Sequence, residues 1–349
     1  MSTASTDSSE RKKHRIPRGT LTLFYVFLAL LTGAESFTGR HESVYYAADK
    51  HQKGWHVFLN RGFEGERETV GDVNVVVYSR RPIMPALVSL THRTMGVTWV
   101  YAFSLIRLVT IFAAYLVLHS YLRAWFPDAL ALLGTLFVAA SVPLTFVSNW
   151  WEILTDFPEI LVFTLGVGCL RSKKHAALAA VTFLGTFNRE TSVLLVMIAG
   201  ALVILNWRKG NRDPRPLVAA LAGWSAATLA LNWWVAAPAQ VATVFGRFYL
   251  LQRNLVGLGQ LLIKPHPYNT YLLPIYVFGL LWILPLRVLR DLPAVLQAGV
   301  CTVPLFLLLV LTVGGLNEPR QLMPLYPILV PSSLFALFPQ ALGRESVTE

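Results

Sequence analysis

The sequence predicts an all-α, polytopic transmembrane helical bundle of about ten membrane segments. Three observations lead there. Hydrophobic residues make up 54% of the 349 and charged residues only 14%, against about 25% charged in an ordinary soluble domain. Several apolar stretches reach the roughly 20 residues that a spanning helix needs. Many lysines and arginines fall in short clusters flanking those stretches, as in loops that stay cytoplasmic. The formal charge of +11 therefore reads as topology, and no nucleic acid is expected as a partner.

The segment Met1 to Arg18 is a polar tail ending in a basic group of Arg11, Lys12, Lys13, Arg15 and Arg18. The apolar run after it lacks a small-x-small cleavage site, so it is expected to remain as the first span. That span covers about Gly19 to Phe37, and residues 38–95 form a long first outer loop with amphipathic helices. Span two covers about Val97 to His119, and Arg123 marks the turn after it. Span three is about Asp128 to Val147. Span four is about Phe157 to Leu170 and ends at Arg171-Ser172-Lys173-Lys174-His175.

Two short apolar arms follow, Ala176 to Phe187 and Ser192 to Trp207, with Asn188-Arg189-Glu190-Thr191 at their junction and a basic cluster from Arg208 to Arg215 after them. Span seven is about Pro216 to Val235, residues 236–269 form a second outer loop, and span eight runs to Pro285. Arg287 and Arg290 mark another inner turn. Spans nine and ten are about Leu292 to Val313 and Leu322 to Phe338. Residues 19–340 thus read as one transmembrane domain, with a polar tail at 341–349.

Assigning the basic clusters to the cytoplasm places both termini inside an inner (cytoplasmic) membrane. Glu42, Asp156, Arg189, Glu318 and Arg320 then all fall on the outer side. Both flanks of the paired arms are basic, so Ala176 to Trp207 should enter and return. Two full crossings take roughly 40 residues, so the turn should sit below the outer surface, where charge must line protein or a wet cavity. A single long tilted helix is the alternative, and it would break the alternation of every later loop.

Charges wedged between apolar stretches are functional candidates. Glu42 opens an amphipathic stretch with Val44, Ala48, Trp55 and Leu59 near one helical face and Lys50, His51 and Lys53 elsewhere. A carboxylate held at the membrane surface suits a general base for an incoming hydroxyl, and a solvated loop acid is the plain alternative. Glu35, near the outer end of span one, is the competing base. Arg320 and Arg189 suit phosphate, because a guanidinium offers a planar donor fork and stays charged when partly dehydrated. Glu318 and Glu190 would orient them, or the groups form a structural ion pair pinning helix ends. Asp156 is a helix-capping acid in its simplest reading and a member of the site otherwise. Arg107 should pair with an acid inside the bundle. His41, His51, His56 and His92 match no metal spacing, and Cys169 and Cys301 predict no disulfide. Pro324, Pro327 and Pro331 should bend span ten.

A carboxylate and tyrosine just after span one (Glu42, Tyr45), amphipathic helices in the first outer loop, and a late Glu318-x-Arg320 followed by Leu322-x-x-Leu325-Tyr326-Pro327 resemble the GT-C superfamily of membrane glycosyltransferases. The Asn188-Arg189-Glu190-Thr191 turn and Tyr78-Ser79-Arg80-Arg81-Pro82 are similar to segments of bacterial members. The likeness covers most of the chain in layout and four short motifs in residues. It implies a GT-C-like bundle that moves a sugar from a polyprenyl-phosphate donor lipid to an acceptor hydroxyl of a glycan, lipid or protein, with inversion. Glu42 would activate the acceptor, while Arg320, with Arg189, would neutralise the leaving phosphate, with Asn188 and Tyr45 in the same substrate-binding group. Many relatives carry two adjacent acids where this chain has His41-Glu42, which leaves use of a divalent metal open and a catalytically inactive relative possible. Two other classes compete: a transporter or flippase for an anionic substrate, and a non-catalytic membrane subunit.

Overall fold

The computed structural model describes residues 17–38, 41–59, 80–145, 154–234, 244–263 and 270–340; side chains at 18, 33–38, 41–47, 57, 244–249 and 313 lie outside that description. Among the described residues every regular element is helical. The chain opens with α1 (Arg18–Thr38) and two amphipathic helices, α2 (His41–Leu59) and α3 (Ile83–Met95). Then come α4 (Trp99–Leu122), α5 (Asp128–Thr145), α6 (Asp156–Arg171), α7 (His175–Asn188), α8 (Val193–Arg208) and α9 (Arg215–Trp234). After α10 (Val244–Ile263), an interrupted segment holds α11 (Leu273–Phe278) and α12 (Leu284–Arg287) between short 3-10 turns. The chain closes with α13 (Ala294–Val313), a 3-10 helix (Pro319–Leu325) and α14 (Tyr326–Leu337).

Among the described residues six helices are both long and apolar enough to cross a membrane: Trp99–Leu122, Asp128–Thr145, Glu190–Arg208, Arg215–Trp234, Thr270–Arg287 and Ala294–Thr312. Their outward faces carry large apolar side chains, with Trp233 78% and Leu23, on α1, 72% exposed. This is an integral membrane protein, since water would not tolerate such a surface. The short helices α6, α7 and α14 have 16, 14 and 12 residues. Residues 326–335 of α14 are all buried, and a helix buried all round matches its protein neighbours rather than a lipid layer.

Side-chain contacts show which helix ends lie together. Arg171 Nη2 donates to the Ala124 carbonyl at 2.8 Å, Arg123 Nε meets Asp128 Oδ1 at 2.6 Å, and His175 Nε2 lies 4.0 Å from Asp213 Oδ2. The basic clusters around Arg123, Arg171 and Arg212 therefore gather at one end of the bundle. The ring of Tyr25, early in α1, lies 5.4 Å from that of His119, late in α4, so α1 starts from this basic end too.

The His175–Asp213 approach also settles the paired arms. The start of α7 lies beside the turn that leaves α8, so the chain enters and returns. At 1.5 Å per residue α7 is about 21 Å long, short of a hydrocarbon layer of about 30 Å. The pair packs against α9 through Gly223, where an added Cβ would stand 2.2 Å from the Ala179 carbonyl oxygen. Such backbone-to-backbone approach is how helices associate where lipid removes the hydrophobic drive between them.

One large apolar core joins residues of α1, α4, α5, α6, α8, α13 and α14. A smaller cluster of Ala48, Met84, Val88, Trp99, Ala102, Phe103 and Leu154 seats α2 and α3 on the first half of α4. Here the structure corrects the expected faces of α2. His51 and Lys50, placed on the polar side by sequence, are buried, while Leu59 is 44% exposed. The cause is the neighbour: α2 turns its Ala48 and His51 face toward α4, with the His51 ring 5.6 Å from Phe103. The expected bend in the last segment takes the form of the 3-10 helix that precedes α14, with Pro324 inside it and Pro331 within α14.

Candidate functional site

Opposite the basic end, the first turn of α6 presents Asp156 and Glu159 three residues apart, and so on one face. Carboxylates suit a helix N-terminus, where the free N–H groups carry partial positive charge. Facing them, α7 ends at Asn188 and the next residue leaves helical geometry, with Arg189 at φ −165° and ψ 143°. That extended step turns the Arg189 side chain onto α6. Its Nη1 donates to Asp156 Oδ1 at 2.6 Å and to Glu159 Oε2 at 2.8 Å. The Thr191 hydroxyl donates to Glu159 Oε1, and Asn188 Nδ2 donates to the Thr155 carbonyl at 2.9 Å. Asp156, Glu159, Asn188 and Arg189 are all buried.

The second charged run reaches the same place from the other end of the sequence. Arg320, buried on the 3-10 helix, donates through Nη2 and Nε to Glu318 Oε2 at 2.9 and 3.3 Å. Gln321 Nε2 adds a bond of 3.1 Å to the same oxygen. Arg320 Nη1 stands 3.8 Å from Asp156 Oδ2. Asp156 therefore bridges the two arginines, one at each carboxylate oxygen. Burial alone would raise the Glu318 carboxyl, but the Arg320 guanidinium and the hydrogen bonds from Arg320 and Gln321 outweigh it and hold it below the usual carboxylate range.

Two sequence expectations change here. Asp156 is not a capping acid, since Thr155 holds the N-cap position and Asp156 is the first residue of α6. Its carboxylate is committed to arginines instead. Glu190 orients neither Arg189 nor Arg320. It accepts from Arg81 Nη2 at 3.0 Å, tying the segment before α3 to the turn between α7 and α8, while Arg80 donates to the Asn232 side chain on α9. Arg107 lies over the Phe157 ring, 5.9 Å from its centre, a cation–π arrangement.

Glu159 was missed, although an acid inside an apolar segment is itself a signal. Arg81 was noticed only as part of a motif; its partner is 109 residues away and no local pattern points to it. The side chains of Glu35, Glu42 and Tyr45 lie outside the described residues. The helices that carry them do not: α1 leads away from the basic end, and α2 packs against α3 and α4. Among the described residues no group of three His, Cys, Asp or Glu side chains is placed to hold a metal ion.

Chemically, the assembly is a buried salt-bridge network with charge-assisted hydrogen bonds throughout. Arg189, held by two carboxylates, is a scaffold cation. Arg320 meets the Glu318 carboxylate directly and Asp156 at longer range. Compared with family models, with characterised proteins and with solved structures, the chain matches none.

Proposed function

We propose that the chain is a GT-C-like membrane glycosyltransferase that moves a sugar from a polyprenyl-phosphate donor to an acceptor hydroxyl on the extracytoplasmic face. The observation that carries this reading is the meeting of the two charged runs at Asp156, at the bundle end away from the basic clusters. Basic loops favour the cytoplasm, so with the chain in the inner membrane this end faces outward, near lipid headgroups. A prenyl phosphate docked there keeps its tail in the bilayer while its phosphate meets Arg320.

In the reaction, the acceptor hydroxyl gives its proton to the Glu42 carboxylate, and its oxygen bonds to the anomeric carbon. The bond from that carbon to the phosphate oxygen breaks with inversion. The electron pair leaves on the lipid phosphate, whose new charge Arg320 neutralises. A phosphate leaving group needs charge stabilisation at the moment of cleavage, which a preorganised guanidinium supplies. Arg189 acts through Asp156, fixing the carboxylate against which Arg320 rests. One observation favours the transporter reading instead: Thr270 to Arg287 is a broken helix, with Gly279 at φ 45°, as transport sites often have.

Mass spectrometry of lipids retained by the gently purified protein separates the readings. Wild type should carry a prenyl phosphate or its sugar ester, and Arg320→Ala should lose it. Glu42→Gln should retain the lipid but lose transfer. A retained glycerophospholipid alone, or full transfer by Glu42→Gln, would overturn the proposal.

A further inference from the structure

Arg253 on α10 reaches the same charged region by a separate route. Its neighbour Asn254 is buried and staples the turn after α13: Asn254 Nδ2 donates to the carbonyls of Leu311 and Gly314, each at 2.8 Å, and Asn254 Oδ1 accepts from the Leu316 N–H at 3.1 Å. The Tyr271 hydroxyl donates to the Arg253 carbonyl at 3.1 Å. These bonds fix the α10 backbone beside the turn. The absence of a side chain at Gly315 then lets the guanidinium in. Arg253 Nη2 lies 2.7 Å from the point where a Gly315 Cβ would stand, and that point is 3.0 Å from Asn317 Oδ1 and 3.3 Å from Glu318 Cδ.

Among the described residues no carboxylate lies within ion-pair distance of Arg253, and its Nε is buried without an acceptor. Asn317 Oδ1 is likewise buried without a donor. A cation so placed has unused hydrogen-bonding capacity beside a small polar space. Glu318 stands at that space, held on its other side by Arg320, and its side chain is still 22% exposed. An anion between two guanidinium forks is the arrangement that binds phosphate, and Glu318 meets the Arg320 fork while lying beyond ion-pair distance of Arg253.

We infer that Arg253 and Arg320 form a two-arginine phosphate clamp, and that Glu318 occupies the clamp until a ligand phosphate displaces it toward solvent. The inference rests on the reading of this site as one for a lipid phosphate.

The test is titration of the full-length protein in nanodiscs with a long-chain prenyl phosphate, inorganic phosphate and phosphatidylglycerol in separate arms. Arg253→Gln should weaken prenyl-phosphate binding by about tenfold or more, the scale of a charge-assisted bond. Glu318→Gln should tighten it, because the competing anion is gone. Gly315→Ala, which fills the space used by the guanidinium, should reproduce the loss and serves where Arg253→Gln does not fold. Weaker binding by Glu318→Gln would overturn the displacement. Equal prenyl-phosphate binding by wild type and Arg253→Gln would overturn the clamp and leave the transferase standing. Arg253-dependent binding of inorganic phosphate or phosphatidylglycerol, without prenyl phosphate, would keep the clamp and sink the proposed donor.

Discussion

The Tyr121 hydroxyl donates to the carbonyl of Pro327 at 3.0 Å, the group that Pro331 leaves without a helical partner. Proline has no N–H to return to the carbonyl four residues earlier. In a buried helix that oxygen must be satisfied by something else, and α4 supplies the donor. The bond fastens α14, and with it the 3-10 helix that carries Arg320, to the last turn of α4.

A coupling between the two side chains follows. Tyr121→Phe should lower stability by about 1 kcal/mol in the native background, the usual worth of a hydrogen bond. In Pro331→Ala the restored N–H meets Pro327, and the same Tyr121→Phe change should cost little. Thermal melts of the four proteins in one detergent check this; equal costs in both backgrounds would show that the hydroxyl has another role.

Arg189 should behave as a scaffold cation. Arg189→Met leaves Asp156 and Glu159 buried without their main counter-charge and should cost about 3–5 kcal/mol, as for other broken buried pairs. Adding Asp156→Asn and Glu159→Gln removes the stranded charges and should recover much of that loss. Melting temperatures of the single and triple variants decide. A single variant as stable as wild type would remove Arg189 from the scaffold.

His51 gives the chain an acid-side dependence. Burial against α4, with Arg81 adding a smaller repulsion, pushes its imidazole down to about 3. The folded protein thus holds His51 neutral, while the unfolded chain binds a proton near the ordinary value of about 6.5. Stability is full above about pH 6.5 and falls as the pH drops toward 3, by roughly 2 kcal/mol at pH 5. His51→Phe should flatten that limb of a melting-temperature profile. An unchanged slope between pH 6.5 and 5 would assign the acid sensitivity to other groups.

The helical membrane class was legible from composition and pattern. Apolar runs and their basic flanks are local properties of the chain, and lipid makes them decisive, because a backbone in hydrocarbon must satisfy itself as helix. The return of α7 into α8 was legible for the same reason: two basic flanks and too few residues between them for two full crossings. The runs at Asn188 and Asn317 announced themselves by charge alone.

Pairing was not legible. Asp156 bridges Arg189 and Arg320, Glu190 turns to Arg81, and Arg253 reaches Gly315, each across a separation that no helical period encodes. Nor did the polar pattern of α2 reveal that His51 faces inward, since that depends on Phe103 from another helix. A lone charge in a sequence says that it needs a partner; which partner it gets depends on the helix ends that packing brings within about 4 Å, where such charges attract strongly.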